Sequence, residues 1–96
     1  MTYYIYILAS QRNGTLYIGV TNNLLNRVKQ HREKKNQGFT KRYHVNMLVY
    51  YEEFQYIYDA LAREKQLKNW RRLWKLDLIE QYNPGWHDLY EIFTGS

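Results

Sequence analysis

Three runs of apolar and aromatic residues along the chain predict three β-strands. The first two, residues 3–9 and 16–20, read YYIYILA and LYIGV and have the length and β-branched character of strands. Asn13-Gly14 lies between them, and this dipeptide favours a tight hairpin turn. The third run spans residues 45–54. The pattern therefore predicts a hairpin and one further strand.

Segments with apolar residues at helical spacing predict three helices, spanning residues 23–34, 56–67 and 70–82. Asn69 is the candidate N-cap of the third helix, because its side-chain oxygen can accept from free backbone N–H groups. Pro84-Gly85 ends that helix, since proline lacks the N–H group and glycine easily adopts left-handed backbone. Residues 36–41 are expected to form a polar loop, and residues 86–93 fit no single pattern.

The order β-β-α-β-α-α predicts an α+β fold in which helices cover a small three-stranded sheet. With 96 residues, of which 45% are hydrophobic and 18% aromatic, we expect a single domain over residues 1–96. The chain has no cysteine, which excludes disulfides and thiolate zinc sites. It has no apolar run of membrane-spanning length and no signal-like start, so we expect a cytoplasmic protein without a membrane partner.

Positive charge is concentrated in two segments of the chain. Residues 27–44 hold seven Lys/Arg and one acid, and residues 63–75 hold six Lys/Arg and one acid. The rest of the chain carries one base and seven acids. If the two segments fold side by side, they form a basic face whose natural partner is a polyanion such as nucleic acid. The alternative is two solvated helix faces that keep the protein soluble.

Glu64 is unusual for a residue that only supports the fold. It lies three or four positions from Ala60, Leu61 and Leu67, so helical periodicity places it on the inward stripe of the second helix. Charged side chains seldom occupy such positions unless they are paired or coordinate a metal. Glu64 is therefore either a metal ligand or a boundary residue paired with a base such as Lys68.

Arg27 and His31 raise a similar question on the first helix. They lie one turn apart and share a face with Leu24 and Val28. The planar fork of arginine suits a phosphate group, because it donates in pairs and stays charged. Alternatively, Arg27 extends over the sheet with its charge in water and His31 is a hydrogen-bonded edge residue.

The strands contribute several tyrosines, among them Tyr4, Tyr6 and Tyr17. Tyr4 and Tyr6 share one face of the first strand, because side chains alternate along a strand. Strand tyrosines usually pack with a solvated hydroxyl, and a free tyrosine ionises near pH 10. A tyrosine acting as a base would therefore need a nearby cation to lower its pKa. The sequence contains no Gly-rich phosphate loop, no HExxH and no Gly-x-Ser-x-Gly motif.

Taken in order, these residues resemble the GIY-YIG nuclease domain. The first strand carries Tyr4-Ile5-Tyr6 and the second carries Tyr17-Ile18-Gly19, which are similar to the two strand motifs that name the family. The chain most resembles a small stand-alone bacterial branch, similar to the nuclease domain of the excision-repair incision subunit. Residues 62–68 and 83–86 fit that branch closely, and the resemblance covers about residues 2–88.

The resemblance implies a role for each matched position. Tyr6 and Tyr17 would be active-site tyrosines, one of which orients or deprotonates the attacking water. Arg27 would hold the scissile phosphate and stabilise its developing charge. His31 would serve as a base or a proton relay, and Glu64 would ligate a single Mg²⁺ or Mn²⁺.

Four further positions qualify the resemblance. Gly19 would allow tight packing or close approach of the substrate. Tyr4 stands where the family's first glycine is expected. Val20 stands where some relatives carry a lysine that could lower a tyrosine pKa, which leaves the identity of the base open. Asn83 is a candidate for an asparagine that some relatives use beyond the glutamate, although its spacing is longer than expected.

The implied function is metal-dependent hydrolysis of phosphodiester bonds in DNA, in repair or recombination, with RNA left open. One alternative is a non-catalytic nucleic-acid-binding module of the same fold, with a protein partner for specificity. Another is a protein-interaction domain, based on exposed aromatics such as Trp86. The residues expected to contact the nucleic-acid backbone are Arg27, Lys29, Arg32, Lys34, Lys35, Lys41, Arg42, Lys68, Arg71 and Arg72.

Overall fold

A computed structural model of the protein describes residues 1–33 and 43–95. Its elements are β1 (Tyr3–Ala9), β2 (Leu16–Thr21), α1 (Leu24–Arg32), β3 (Met47–Phe54), α2 (Ile57–Asn69), α3 (Arg72–Tyr82) and α4 (Leu89–Thr94). The strands form one antiparallel sheet in the order β2-β1-β3. The α+β class and the three-stranded sheet are as the sequence predicted.

β1 is the central strand, and helices cover both faces of the sheet. On one face Ile5, Ile7 and Ala9 pack against α2 and α3, which contribute Ala60, Leu67 and Ile79. On the other face Tyr6 and Leu8 pack against α1 and α4, which contribute Leu24, Val28, Leu89 and Tyr90. Because successive side chains of a strand point to opposite faces, the apolar run of β1 supplies both cores.

Asn83 holds an irregularity of β3 in place. The pairing of β3 with β1 shifts between Ile7 and Leu8, and Val49 is the extra residue on the β3 side. The buried Asn83 amide donates to the Val49 carbonyl oxygen at 3.0 Å and to the His87 carbonyl oxygen at 3.0 Å. Its own oxygen accepts from the His87 backbone N–H at 3.1 Å. The side chain therefore ties the end of α3 to a β-bulge.

Several predicted boundaries were wrong. Asn69 is the last residue of α2 and does not cap α3, since Trp70 and Arg71 adopt extended backbone between the two helices. The third strand begins at Met47 instead of residue 45. Asn23 is the N-cap of α1 and accepts from the Asn26 N–H at 3.2 Å, so the helix begins at Leu24. The predicted loop at residues 36–41 lies outside the described residues.

The C-terminal tail also differs from expectation. Residues 89–94 form α4, whose N-cap Asp88 accepts from the Tyr90 N–H at 3.1 Å and from the Leu48 N–H at 3.2 Å. Trp86 was expected to be exposed but is buried, and its indole N–H donates to Glu80 at 2.6 Å. Trp86 therefore gives no support to a protein-interaction role. Within the described ranges, no helix has the length and apolar character needed to cross a membrane.

Candidate active site

Tyr6 is the centre of a polar cluster on the α1 face of the sheet. Its side chain is only 1% exposed, in the middle of β1. The Tyr6 hydroxyl lies 3.2 Å from Nε2 of His31, and Nε of Arg27 donates to the same hydroxyl at 3.4 Å. The Arg27 guanidinium also donates to Oε1 of Gln30 at 3.3 Å. Burial of Leu24 and Val28 orients α1 so that Arg27 and His31 face the phenol.

Tyr17 and Gly19 on β2 complete the wall beside Tyr6. The antiparallel register pairs Tyr6 with Gly19 and Leu8 with Tyr17, which puts all four on one face. The Tyr17 ring centre lies 5.3 Å from that of His31 and 6.3 Å from that of Tyr6. A Cβ at Gly19 would lie 2.5 Å from the Tyr6 hydroxyl oxygen. Gly19 is therefore the position that leaves room for the Tyr6 ring.

We expect Gly19→Ala to destabilise the protein by about 1–3 kcal/mol, because the added methyl group must push the buried Tyr6 ring out of place. Chemical unfolding measures this cost, and the loss of the Tyr6–His31 contact is measured from the NMR signals of the His31 ring. Gly85→Ala is the matched control, since its Cβ would meet only the exposed His87 ring. Equal stability of the Gly19→Ala and Gly85→Ala proteins would contradict the assigned role of Gly19.

Glu64 lies at the margin of this cluster. Its side chain is 21% exposed and pairs with Nζ of Lys68 at 3.3 Å, one helical turn away. Its carboxylate is also one of the charges that raise the pKa of Tyr6, so it acts on the phenol through space. The inward stripe was predicted wrongly at Leu61, which is 44% exposed, whereas Ala60 and Leu67 are buried. The expected ion pair with Lys68 is therefore present, and metal binding at Glu64 stays a prediction.

Burial controls the protonation of the two central groups. Burial raises the pKa of Tyr6 to about 12, although the hydrogen bond from Arg27 opposes this shift. Burial also lowers the pKa of His31 to about 4, and the Arg27 charge adds to this effect. The hydrogen bond with Tyr6 raises the pKa of Arg27. At neutral pH the site therefore holds a neutral phenol, a neutral imidazole and a charged guanidinium.

The lowered pKa of His31 predicts acid sensitivity. The unfolded chain takes up the proton at the ordinary pKa of 6.5 and the folded protein only near 4, so stability falls as the pH drops through this window. We expect wild type to lose about 2–3 kcal/mol of unfolding free energy between pH 7 and pH 4.5 through this group alone. Urea unfolding of wild type and of His31→Gln at both pH values isolates the contribution of His31 to this loss of unfolding free energy. The same pH dependence in both proteins would refute the prediction.

The structure distributes the predicted backbone-contact residues unevenly. Lys29 is exposed on α1. Arg32 pairs with Asp88 and, at 3.4 Å, with Glu91, and its guanidinium lies over the Tyr90 ring, so it ties α1 to α4. Arg72 donates to the carbonyl oxygens of Asn13 and Gly14 at 2.6 Å each and holds the hairpin turn. The remaining expected residues of the first basic segment lie outside the described ranges, namely Lys34, Lys35, Lys41 and Arg42.

The second basic segment reaches the cluster on the β2 side. Lys68 and Lys75 line a surface pocket together with Leu16, Tyr17 and Ile18. Lys75 was not among the residues predicted to contact the backbone, although it belongs to the second basic segment. Arg71 lies with its guanidinium 5.7 Å from the centre of the Trp74 ring. Positive side chains therefore border Tyr17 directly.

Two predicted positions relate differently to metal binding. Glu64 offers one carboxylate, whose charge raises the pKa of Tyr6. The Asn83 amide, in contrast, is engaged by Val49 and His87 and makes no hydrogen bond to the Tyr6 cluster. Across residues 1–33 and 43–95, no three His, Asp or Glu side chains are grouped so as to hold a metal ion.

Comparison with known proteins identifies the family. The model of the GIY-YIG catalytic domain matches residues 2–77. A UPF0213 protein from Pediococcus pentosaceus is 35% identical over 79 residues, covering 82% of each chain. A UPF0213 protein from Clostridium perfringens is 38% identical over 76 residues, covering 79% of this chain and 81% of the relative.

A relative from Autographa californica nuclear polyhedrosis virus, also named a UPF0213 protein, is 40% identical over 78 residues, which cover 79% of this chain and 74% of the relative. The solution NMR structure of a UPF0213 protein from Bacillus halodurans superimposes with a TM-score of 0.58 at 25% identity, covering 95% of this chain and 96% of that one. The matched region contains β1, β2 and the whole Tyr6 cluster, including Glu64. The chain therefore belongs to the GIY-YIG family.

Proposed function

We propose that this protein is a metal-dependent endonuclease that hydrolyses phosphodiester bonds in DNA, with a place in DNA repair or recombination. The observation that carries the proposal is that Arg27 and His31 both contact the Tyr6 hydroxyl, in a chain of the GIY-YIG family. Such a cluster can meet the two needs of phosphodiester hydrolysis, which are positive charge at the phosphate and a path for the proton of the attacking water.

Arg27 supplies the positive charge. Its guanidinium is half-buried at the Tyr6 hydroxyl, where its charge is less screened than on an open surface. Nε is engaged by Tyr6 and one terminal nitrogen by Gln30, and the guanidinium also hydrogen-bonds to Tyr17. Since a guanidinium has five N–H donors, others are left to bind phosphate oxygens. Charge held in place before the reaction stabilises the transition state without reorganisation.

Tyr6 and His31 supply the proton path. The phenol is protonated and the imidazole neutral, so the Tyr6 hydroxyl can donate to Nε2 of His31 across 3.2 Å. A phosphodiester bound to Arg27 offsets the guanidinium charge, which is one cause of the low pKa of His31. His31 then becomes a better acceptor, and Tyr6 can take a proton from water as it passes its own to His31.

Glu64 is the residue that would hold the divalent ion. A single carboxylate suits Mg²⁺ or Mn²⁺, because hard cations prefer oxygen ligands and Mg²⁺ commonly keeps several waters. The partial exposure of Glu64 leaves room for those waters. When bound, the ion would add positive charge opposite the developing charge of the phosphate. The Glu64 charge raises the pKa of Tyr6, so an ion held there would act on the phenol in the opposite direction.

Labelled single-stranded, duplex, flap and branched DNA, incubated with Mg²⁺, Mn²⁺ or EDTA, test the proposal. We expect internal cuts in at least one of these substrates with metal and none with EDTA. Matched RNA substrates decide between DNA and RNA. Retardation of DNA on a gel without cleavage under any condition would refute the nuclease and support the non-catalytic binding module. Cleavage of RNA alone would refute the choice of DNA.

A further inference from the structure

An aromatic groove lies on the outer side of the α2–α3 corner, away from the Tyr6 cluster. Its volume is about 300 Å³, and its lining is Trp70, Trp74, Asp77, Leu78 and Gln81. The two indole rings meet edge to face with their centres 6.0 Å apart. Trp74 is 51% exposed, so one wall of the groove is an open indole surface. A planar ring is the ligand shape that such a wall favours.

Two polar side chains without partners lie on the same stripe of α3. Trp74, Asp77, Leu78 and Gln81 are spaced i, i+3, i+4 and i+7, so they line one side of the helix. The exposed side chains of Asp77 and Gln81 make no hydrogen bond or ion pair with another group in the ranges that the structure describes. The groove therefore presents two carboxylate acceptors and one amide beside the indole surface.

The surroundings of the groove are basic. The Arg71 guanidinium lies 5.7 Å from the Trp74 ring centre, whereas the Arg63 guanidinium, 5.1 Å from the Trp70 ring centre, is paired with Glu52 at 2.9 Å. Lys75, the neighbour of Trp74 in the chain, lines the pocket beside Tyr17. Positive charge therefore extends from the active-site tyrosine to the rim of the groove, along a course that a polyanionic backbone can follow.

We propose that this groove binds one unpaired guanine base of the strand that the Tyr6 cluster acts on, an inference that rests on the proposed nuclease function. The Watson–Crick edge of guanine presents two adjacent nitrogen donors and one carbonyl oxygen. Asp77 accepts from the two donors, and the Gln81 amide donates to the carbonyl. The guanine ring stacks on Trp74. In a duplex this edge is occupied by cytosine, so the site selects an unpaired base.

Fluorescence anisotropy in EDTA tests the site without cleavage. The probes are labelled oligothymidylates that carry one central dG, dA or inosine. The base of inosine differs from guanine only by lacking the amino group. We expect wild type to bind the dG probe about tenfold more tightly than the dA probe. Trp74→Ala should weaken binding of the dG probe about tenfold. Asp77→Asn should remove the preference of dG over inosine and keep the binding of plain oligothymidylate.

Leu73→Ala is the matched control, because Leu73 is 70% exposed beside Trp74 and does not line the groove. Melting curves verify that each variant is folded. Equal binding of the three probes by wild type, or wild-type affinity in Trp74→Ala, would overturn the guanine site. A dG preference that depends on Trp74 and Asp77, without cleavage by any metal, would support the base site and refute the nuclease. Cleavage at a rate that depends neither on Trp74 nor on the probe base would support the nuclease and refute the guanine site.

Discussion

Glu64→Gln should slow the metal-dependent cleavage of DNA at least about 100-fold, which is the usual cost of removing one electrostatic contact to a transition state. The substitution removes the charge that would hold the divalent ion and keeps the size of the side chain. The described part of the chain contains no cluster of three acidic or histidine ligands that could hold the ion in its place. Cleavage rates measured across a series of Mg²⁺ and Mn²⁺ concentrations test this expectation.

The loss should not come from unfolding. Glu64 is partly exposed, and its pair with Lys68 is a single contact between neighbouring turns, which contributes at most about 1 kcal/mol. DNA binding in EDTA should therefore persist. Asp59→Asn removes the same charge from an exposed position in the first turn of the same helix and should cut at the wild-type rate. Full cleavage by Glu64→Gln would show that the ion is held elsewhere or not needed.

The sheet was predictable because its signals are local. Residues 5–9 of the first run are buried on both faces, and the Asn13-Gly14 turn forms with Asn13 in left-handed backbone, at a φ of 57°. The helices were also found, but their ends were not. Asn69 is a good capping residue by type, yet α2 continues through it. The sequence pattern alone would end this helix at residue 67 and begin a new one after Asn69. Packing of Leu67 into the core instead keeps the residues up to Asn69 in α2.

α4 was missed because its stability depends on the rest of the fold. Its six residues are too short to form a helix alone. Asp88 caps it, but the same carboxylate also accepts from the Leu48 backbone and pairs with Arg32. These partners are distant in sequence. Asn83 is a similar case, since its buried amide is explained by the bulge at Val49 and by the His87 backbone, which are brought to it by the fold.

The candidate site was predictable as a set of residues and not as a geometry. The strand motifs, Arg27, His31 and Glu64 could be read from the sequence, but the convergence of Arg27 and His31 on the Tyr6 hydroxyl depends on how α1 packs against the sheet. Pairing of Tyr6 with Gly19 is what leaves space for the phenol. The pKa shifts of Tyr6 and His31 could not be predicted from the sequence either. Burial is their largest cause, and burial is a property of the packed structure.

Arg27 is the second position where a single change should have a large effect. We expect Arg27→Ala to lower the cleavage rate about 100- to 1000-fold, because it removes positive charge held in place at the phosphate. The same change should raise the pKa of His31 above about 4, since the Arg27 charge is the second cause of its low value after burial. Cleavage kinetics measure the first effect, and an NMR titration of His31 measures the second without any activity.

Arg27→Lys separates charge from geometry. Lysine keeps the positive charge, so the pKa of His31 should stay low, but it lacks the planar fork that can bind Tyr6 and phosphate oxygens together. Its cleavage rate should therefore fall although the His31 titration does not move. Arg12→Ala removes one charge from an exposed position outside both basic segments and should change neither quantity. If the pKa of His31 were the same in wild type and Arg27→Ala, the Arg27 charge would not act on the Tyr6–His31 pair. Phosphate binding at Arg27 would then not make His31 a better proton acceptor, and the transfer from Tyr6 to His31 would have to occur without that effect.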